Sequence, residues 1–236
     1  MIKIKKIIPT ALLLTSISSA ALADNWNVGA SASYGNIDGT AKDTQTTGAG
    51  AVVAQTRGAN TGDADFPFGS IFVEYAKTMD KDLDLIIGLD YVPFKAEIDS
   101  KSFTDTSFEA GTDVSSSTAG TRKAKLELEN YATLYLQPTY KIGGGTAVFG
   151  KVGYIHGDVK ISGSNTATGS TINAKDTLNG YVVGLGVQHN INKNVFVRLE
   201  GSFTAHDDVT ATDSKNTKFT ADSELIAGKL SIGYSF

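Results

Sequence analysis

The chain carries three histidines, His156, His189 and His206, and no cysteine. His206 is followed directly by two acidic residues, Asp207 and Asp208. A carboxylate that orients an imidazole makes a general base, able to activate water or a serine hydroxyl. The spacing specifies nothing sharper than a polar strand-to-loop root, and no His-x-Ser pair of the lipid-deacylase type is present. Gly143-Gly144-Gly145 lacks the Lys-Ser/Thr that completes a phosphate-binding loop. Absence of cysteine excludes disulfides, thiolate metal sites and cysteine nucleophiles together. These residues predict a protein that is not an enzyme, with no catalytic residue, no metal and no cofactor.

The elements that would position these residues are strands. Apolar residues alternate with polar ones at period 2, the strand signature, in eight runs: roughly 25–37, 66–78, 82–98, 125–140, 146–161, 177–190, 194–206 and 224–236. In the last, Ile226, Gly228, Leu230, Ile232, Tyr234 and Phe236 share one face, and Ala227, Lys229, Ser231, Gly233 and Ser235 the other. In the fourth, Leu126, Leu128, Ala132, Leu134 and Leu136 oppose Glu127, Glu129, Thr133 and Gln137. The third run is imperfect: Ile86, Val92 and Phe94 fall on its polar face, and Pro93 predicts a bulge or strand end. No apolar stretch at helical spacing survives its glycines, of which there are 25. Each run is long enough for a tilted membrane strand of about 9–11 residues.

Upstream lies a different signal. Lys3, Lys5 and Lys6 precede a run rich in Ile, Leu and Ala, and Ala21-Leu22-Ala23 closes it. This is the layout of a secretory signal peptide cleaved after Ala23. The mature chain, residues 24–236, would keep 213 of the 236 residues and, without three lysines, shift from a formal charge of -4 to -7. Neither charge suggests nucleic acid as a partner.

Connections alternate in length. Short ones follow the second, fourth and sixth runs, and long Thr/Ser/Gly-rich ones span 38–65, 99–123, 162–175 and 207–223. Short turns at one rim and long loops at the other fit a transmembrane barrel. Only a closed sheet satisfies its backbone in lipid, so the apolar face must point outward. The aromatics support this. Trp26, Tyr75, Tyr140, Tyr234 and Phe236 lie near the short-turn rim, and Tyr34, Tyr91, Tyr154, Tyr181 and Phe203 near the other, all on the apolar face. Two girdles are expected at the two lipid–water interfaces. The polar face then fills the lumen, which in an eight-stranded barrel has room for side chains only. Glu74, Asp90, Lys151, Arg198, Glu200 and Lys229 supply three charges of each sign for a compensated interior network. Lys229 with Glu200 is the expected best pair. Gly29, Gly88, Gly150, Gly184 and Gly186 are expected to relieve crowding where the sheet curls.

On these features the chain resembles the small eight-stranded outer-membrane barrels of Gram-negative bacteria, the broad group of OmpA-type transmembrane domains, OmpX-like and opacity-type proteins often called the porin family. The most specific element is Leu230-x-Ile232-x-Tyr234-x-Phe236, similar to the C-terminal signal that the barrel-assembly machinery reads. The resemblance implies an all-β, up-and-down antiparallel barrel in the outer membrane. It also implies periplasmic chaperones and the assembly machinery during biogenesis, and outer-membrane lipid and lipopolysaccharide as surroundings. No peptidoglycan-binding domain is expected after the barrel. The expected function is structural or surface display, four loops offering contact to partners or phage, by a monomer. A small solute channel is the alternative. A lipid- or peptide-modifying barrel enzyme and a soluble barrel with its faces inverted around an apolar ligand stand behind it.

Overall fold

A computed structural model describes residues 25–45, 55–56, 60–106, 119–166, 169–212, 214 and 217–236. The expected leader and the middle of the first two long connections lie outside the described residues. The strands are β1 (Asn25–Gln45), β2 (Gln55–Thr56), β3 (Asn60–Asp80), β4 (Leu83–Val92), β5 (Ala96–Thr106), β6 (Ala119–Gly143), β7 (Thr146–Asn165), β8 (Ser170–Asn190), β9 (Val195–Thr212) and β10 (Thr217–Ser235). All pairings are antiparallel, in the order β10-β9-β8-β7-β6-β4-β3-β1, and β10 pairs again with β1 from Asn27–Ser235 to Gln45–Thr217. The ring is thereby closed. β2 is a short arm on the end of β1. β4 and β5 both pair with β6 and form one stave, broken after Val92 where Pro93 has no N–H for a ladder. The wall therefore has eight staves.

The strands continue well past the expected boundaries. Residues 38–45, 60–65, 99–106, 119–123, 162–165, 170–175, 207–212 and 217–223, which the sequence assigns to long loops, are strand. Thr, Ser and Gly there obscure alternation, because the polar outer face is what catches the eye.

Two storeys with opposite polarity result. In the lower storey, between the aromatic rings, large apolar side chains point out. Leu185 is 73% exposed, Leu230 60% and Leu199 59%. Left in water, each would forgo about 1.5–3 kcal/mol of burial, which a lipid surround restores. Ser31, Glu74, Thr133, Lys151, Glu200 and Ser231 point in and are buried. From the upper aromatic ring outward the pattern inverts. Phe66, Val92, Leu128, Tyr131, Ile155, Leu178, Val182, Leu225 and Ala227 form one buried apolar core inside the barrel. The outer face there carries Asp38, Asp63, Glu129, Asp158, Lys160, Lys175 and Glu224. The expectation that polar side chains fill the whole lumen thus holds for the lower storey only. A wall standing in water needs the core of a soluble barrel, and that is what the upper storey has.

Two bulges help the inversion. On β6 the register slips between Glu129 and Ala132, with Asn130 in the left-handed region at φ 52°. Asn tolerates that conformation better than most residues. The slip turns Leu128 inward (5% exposed), while Leu134 stays outward. Leu126 and Leu128 therefore do not share a face with Leu134 and Leu136, as strict alternation suggested. On β9 an extra residue at Asp207–Asp208 places Val209 and Ala211 on the inner side. Ile86 and Val92, the irregular positions of the third run, are inward and buried, whereas Phe94 in the β4–β5 break is exposed. The β3–β4 ladder ends at Ile71–Tyr91; above it β3 pairs with β1, and β5 with β6.

Candidate functional site

The lower lumen is organised around Arg198. Its Nη1 donates to Glu74 Oε1 at 2.7 Å and its Nη2 to Glu74 Oε2 at 3.2 Å, the two-pronged geometry that suits guanidinium and carboxylate. Glu74 also accepts from Tyr135 Oη at 2.5 Å and from Asn27 Nδ2 at 3.1 Å. Arg198 Nη2 donates further to Gln188 Oε1 at 2.8 Å. Three phenylalanines surround the guanidinium, with Cζ 5.1 Å from the Phe196 ring centre, 5.2 Å from Phe149 and 5.6 Å from Phe72. Such distances allow cation–π attraction. Glycine makes room for these rings. A Cβ on Gly186 would stand 2.5 Å from Phe149, and one on Gly233 2.2 Å from Phe196. Gly29 and Gly88 lie against Phe72 and Tyr135 in the same way, but Gly150 faces open space, so it relieves no crowding.

The other expected lumen charges pair differently from the sequence reading. Lys229 and Glu200 are register partners on neighbouring strands, yet Lys229 Nζ reaches Asp90 on β4 at 2.9 Å. Glu200 instead takes Lys151 of β7 at 2.5 Å. Long side chains extend toward the barrel axis, where they meet groups from non-adjacent staves; strand adjacency records only neighbours along the wall. Lys151 Nζ also lies 4.4 Å from the Tyr135 ring centre. Sequence reasoning missed Phe72, Phe149, Phe196, Tyr135, Gln188 and Asn27. One signal was available: Phe72-x-Glu74, Phe149-x-Lys151 and Phe196-x-Arg198 each put an aromatic two residues from an interior charge.

Below this layer a cavity of about 160 Å³ opens at the short-turn end; Asn27, Thr139, Gln188, Asn190 and Phe196 are among its walls. Gln188 and Phe196 both contact Arg198, so the cavity meets the charged layer rather than passing it. Above, the apolar core closes the lumen a second time.

The ten aromatics of the two rings lie on the outer wall: Tyr75 and Tyr91 are half-buried, and Trp26, Tyr34, Tyr140, Tyr154, Tyr181, Phe203, Tyr234 and Phe236 are exposed. Tyr154 and Tyr181 are paired across β7–β8, with ring centres 5.5 Å apart. Leu230, Ile232, Tyr234 and Phe236 all face outward, and Phe236 closes the ring by exchanging backbone hydrogen bonds with Trp26 at 2.9 and 3.1 Å.

The histidines do not converge. His156 lies on the outer face, 2.9 Å from Asn179 Oδ1, and His189 is 3.0 Å from Thr146 Oγ1 at the short-turn end. His206 is inside, its Nε2 3.2 Å from Tyr131 Oη and its Nδ1 3.1 Å from Ser223 Oγ. Asp207 and Asp208 are exposed. Hydroxyl groups, not a carboxylate, hold the imidazole, contrary to the carboxylate-oriented base considered above.

Outside the upper ring, charges on β6–β8 interlock. Lys175 Nζ is 3.0 Å from Asp158 and 3.9 Å from Glu129, and Lys95 reaches Glu129 at 2.5 Å. The hydrogen bond from Asn130 (2.7 Å), then Lys175, holds the Asp158 carboxyl below its usual range. Lys125 does the same for Glu127, and Glu129 raises the Lys95 ammonium.

The described residues thus form a closed eight-stave ring with an apolar outer belt. The family model for the outer membrane protein β-barrel domain matches residues 10–225. The chain belongs to that family. Its place is accordingly the bacterial outer membrane. Among solved structures, the outer membrane protein OprG of Pseudomonas aeruginosa is similar at 13% identity and a TM-score of 0.53, covering 91% of this chain and 97% of OprG. The outer membrane protease OmpT of Escherichia coli is similar at 14% identity and TM-score 0.47, over 94% and 100% of the two chains. The attachment invasion locus protein Ail of Yersinia pestis follows at 13% and 0.43, over 89% and 98%. At these identities the likeness to OprG speaks for the barrel fold alone. No curated protein sequence matches the chain.

Proposed function

We propose that this barrel is a non-conducting surface-display protein. Its lower storey anchors it in the outer membrane, and its upper storey is a rigid stalk that presents the loop segments above the lipid. The observation that carries this reading is the double closure of the lumen, first by the Arg198–Glu74 layer and then by the Ile155–Leu178 core. A water-filled pore of the porin kind needs about 16–18 strands. β1 continues from Gly35 to Gln45 beyond the upper ring; at about 3.3 Å per residue and a tilt near 40° it rises roughly 25–30 Å. The stalk tips are stitched together, Ser214 N donating to Thr171 O at 3.0 Å and Thr166 N to Thr121 O at 3.1 Å. Loops offered on such a support suit adhesion, phage or partner contact.

The same reading makes the barrel a monomer, since β1 and β10 close on each other. It assigns the outward Leu230, Ile232, Tyr234 and Phe236 to recognition by the barrel-assembly machinery. Planar-bilayer recording tests the display reading against the channel alternative. The folded barrel is expected to be silent under voltage, and removing residues 46–59 and 107–118 is expected to abolish surface contacts without changing heat-dependent gel migration. Stable conductance steps would replace this reading with a channel.

A further inference from the structure

Above the upper aromatic ring the ladders no longer run all the way round. The β3–β4 ladder ends at Ile71–Tyr91, and β5 above it pairs with β6 only. The β8–β9 ladder ends at Gly180–His206, although β8 runs on to Ser170 and β9 to Thr212. Among the described residues no ladder joins β3 to β5, or β8 to β9, beyond these points. Apart from the bulges, ladders are unbroken through β5–β6–β7–β8 on one side and β9–β10–β1–β3 on the other. The two seams stand four staves apart, so the upper storey is a pair of facing four-stranded sheets rather than a ring. Side chains of the apolar core fill the space between them, Leu128, Ile155 and Leu178 from one sheet and Phe66, Leu225 and Ala227 from the other.

The two seams are built differently. Backbone hydrogen-bonding groups alternate sides along an antiparallel strand. Trp26 exchanges its bonds with Phe236 beside β10, so by register the odd-numbered residues of β3 turn away from β1. Thr61, Asp63, Asp65, Pro67 and Gly69 therefore present their backbone to the first seam, where Pro67 has no N–H to give. Pro93 interrupts the stave across that seam. Strands tolerate proline at an edge of this kind. At the second seam Asp176 takes the place of the ladder. Its Oδ1 accepts from Thr177 N on its own strand at 2.9 Å, and its Oδ2 from Thr210 N on β9 at 2.6 Å. Further out, Ser214 N donates to Thr171 O at 3.0 Å and Thr171 N to Ser214 Oγ at 3.1 Å. Unpaired backbone groups are thus satisfied across this seam, as a fixed edge requires. We infer that the upper storey is a two-jaw clamp, which opens along the β3–β5 seam and turns about the β8–β9 seam that Asp176 holds. Each jaw keeps its own ladders as it moves, and the apolar core between them is the contact that parts and closes. The stalk of the display reading is the closed state, and the clamp does not depend on what the loops contact. The lower ring and its Arg198–Glu74 layer stay intact in both states, so the motion opens no path through the membrane.

The test uses the full mature barrel in lipid nanodiscs. The chain has no native cysteine, so spin labels can be placed in pairs through Asp63→Cys on β3, Lys123→Cys on β6, Asn173→Cys on β8 and Thr212→Cys on β9, all exposed positions. Pulsed electron spin resonance then reads the distance within each pair. The pair 63–123 spans the first seam and is expected to show a second population, longer by about 5 Å, one strand spacing. The pair 173–212 spans the Asp176 seam, and 123–173 and 63–212 each lie within one jaw; all three are expected to give single narrow distances. Asp176→Ala should broaden 173–212 until it matches 63–123, with the pairs inside each jaw unchanged. Heat-dependent gel migration confirms that each labelled variant is folded. Single narrow distances for all four pairs in the unaltered barrel would make the upper storey one rigid body and overturn the inference. So would equal broadening of the pairs inside the jaws, which is general fraying. A 173–212 pair that is already as broad as 63–123, or that Asp176→Ala leaves unchanged, would overturn the hinge.

Discussion

Arg198 and Glu74 are 2% and 1% exposed and satisfy each other. Breaking such a pair leaves one buried charge without a partner, which typically costs about 3–5 kcal/mol, whereas replacing both with apolar residues of similar size is often neutral or better. Glu74→Leu alone is therefore expected to lower unfolding free energy by that amount in a urea titration in detergent, and Glu74→Leu with Arg198→Met to recover most of it. Independent additive losses would show that the pair is not coupled. Asp158 supplies the pH-dependent counterpart at the surface. Its folded-state carboxyl lies below the ordinary value of 3.8, so its contribution is complete above that value and disappears as the pH falls through the lower folded one. Removing its strongest support by Asn130→Gly should move the Asp158 titration, followed by carboxyl NMR, up toward 3.8; an unmoved midpoint would contradict the assignment. The six lumen charges were legible as a set because unpaired interior charge is so unfavourable. Their partners were not, since cross-lumen distances depend on curl and stagger that no single strand encodes.

At the scale of the strand, polarity and phase decide what each face meets. An arginine facing lipid at mid-height costs about 2–4 kcal/mol. Leu199→Arg should therefore be strongly destabilising in bilayers. The cost should be much smaller for Thr177→Arg, on the outer face of the upper storey. Asn130 marks the bulge that turns β6 over. A β-branched residue is poorly suited to φ 52°, so Asn130→Val should cost about 1–3 kcal/mol, and Asn130→Gly should be tolerated; denaturant midpoints of the two variants distinguish them. Eight strands were readable from period-2 alternation, but their upper ends were not. On β7 the apolar residues switch from Val148, Val152 and Tyr154 to Ile155, Val159 and Ile161, a phase slip that marks the storey boundary. On β6 the bulge cancels the slip, so Leu126 and Leu128 read as a continuation of the lipid face. Glycine and hydroxyl residues then disguised the remaining strand as loop.

For the molecule as a whole, the two storeys solve one constraint twice. Backbone hydrogen bonds close in a ring wherever lipid surrounds the wall, and side chains exchange sides where lipid gives way to water. Truncating the upper core should loosen the stalk while leaving the anchor. Leu178→Ala is expected to cost about 2–5 kcal/mol and to expose β8 above Tyr181 to protease, with the lower storey still protected in vesicles. The absence of cysteine allows the central claim, inversion of the faces at the upper aromatic ring, to be tested directly. Single cysteines placed along β7 from Val148 to Ile161 can be probed with a spin label whose relaxation distinguishes oxygen in lipid from a water-soluble nickel complex. Lipid contact is expected at positions 148, 152 and 154, water contact at 156, 158 and 160, and shielding from both at 155 and 159, which are buried. Water contact at 155 and 159, or lipid contact at 158 and 160, would contradict the inversion.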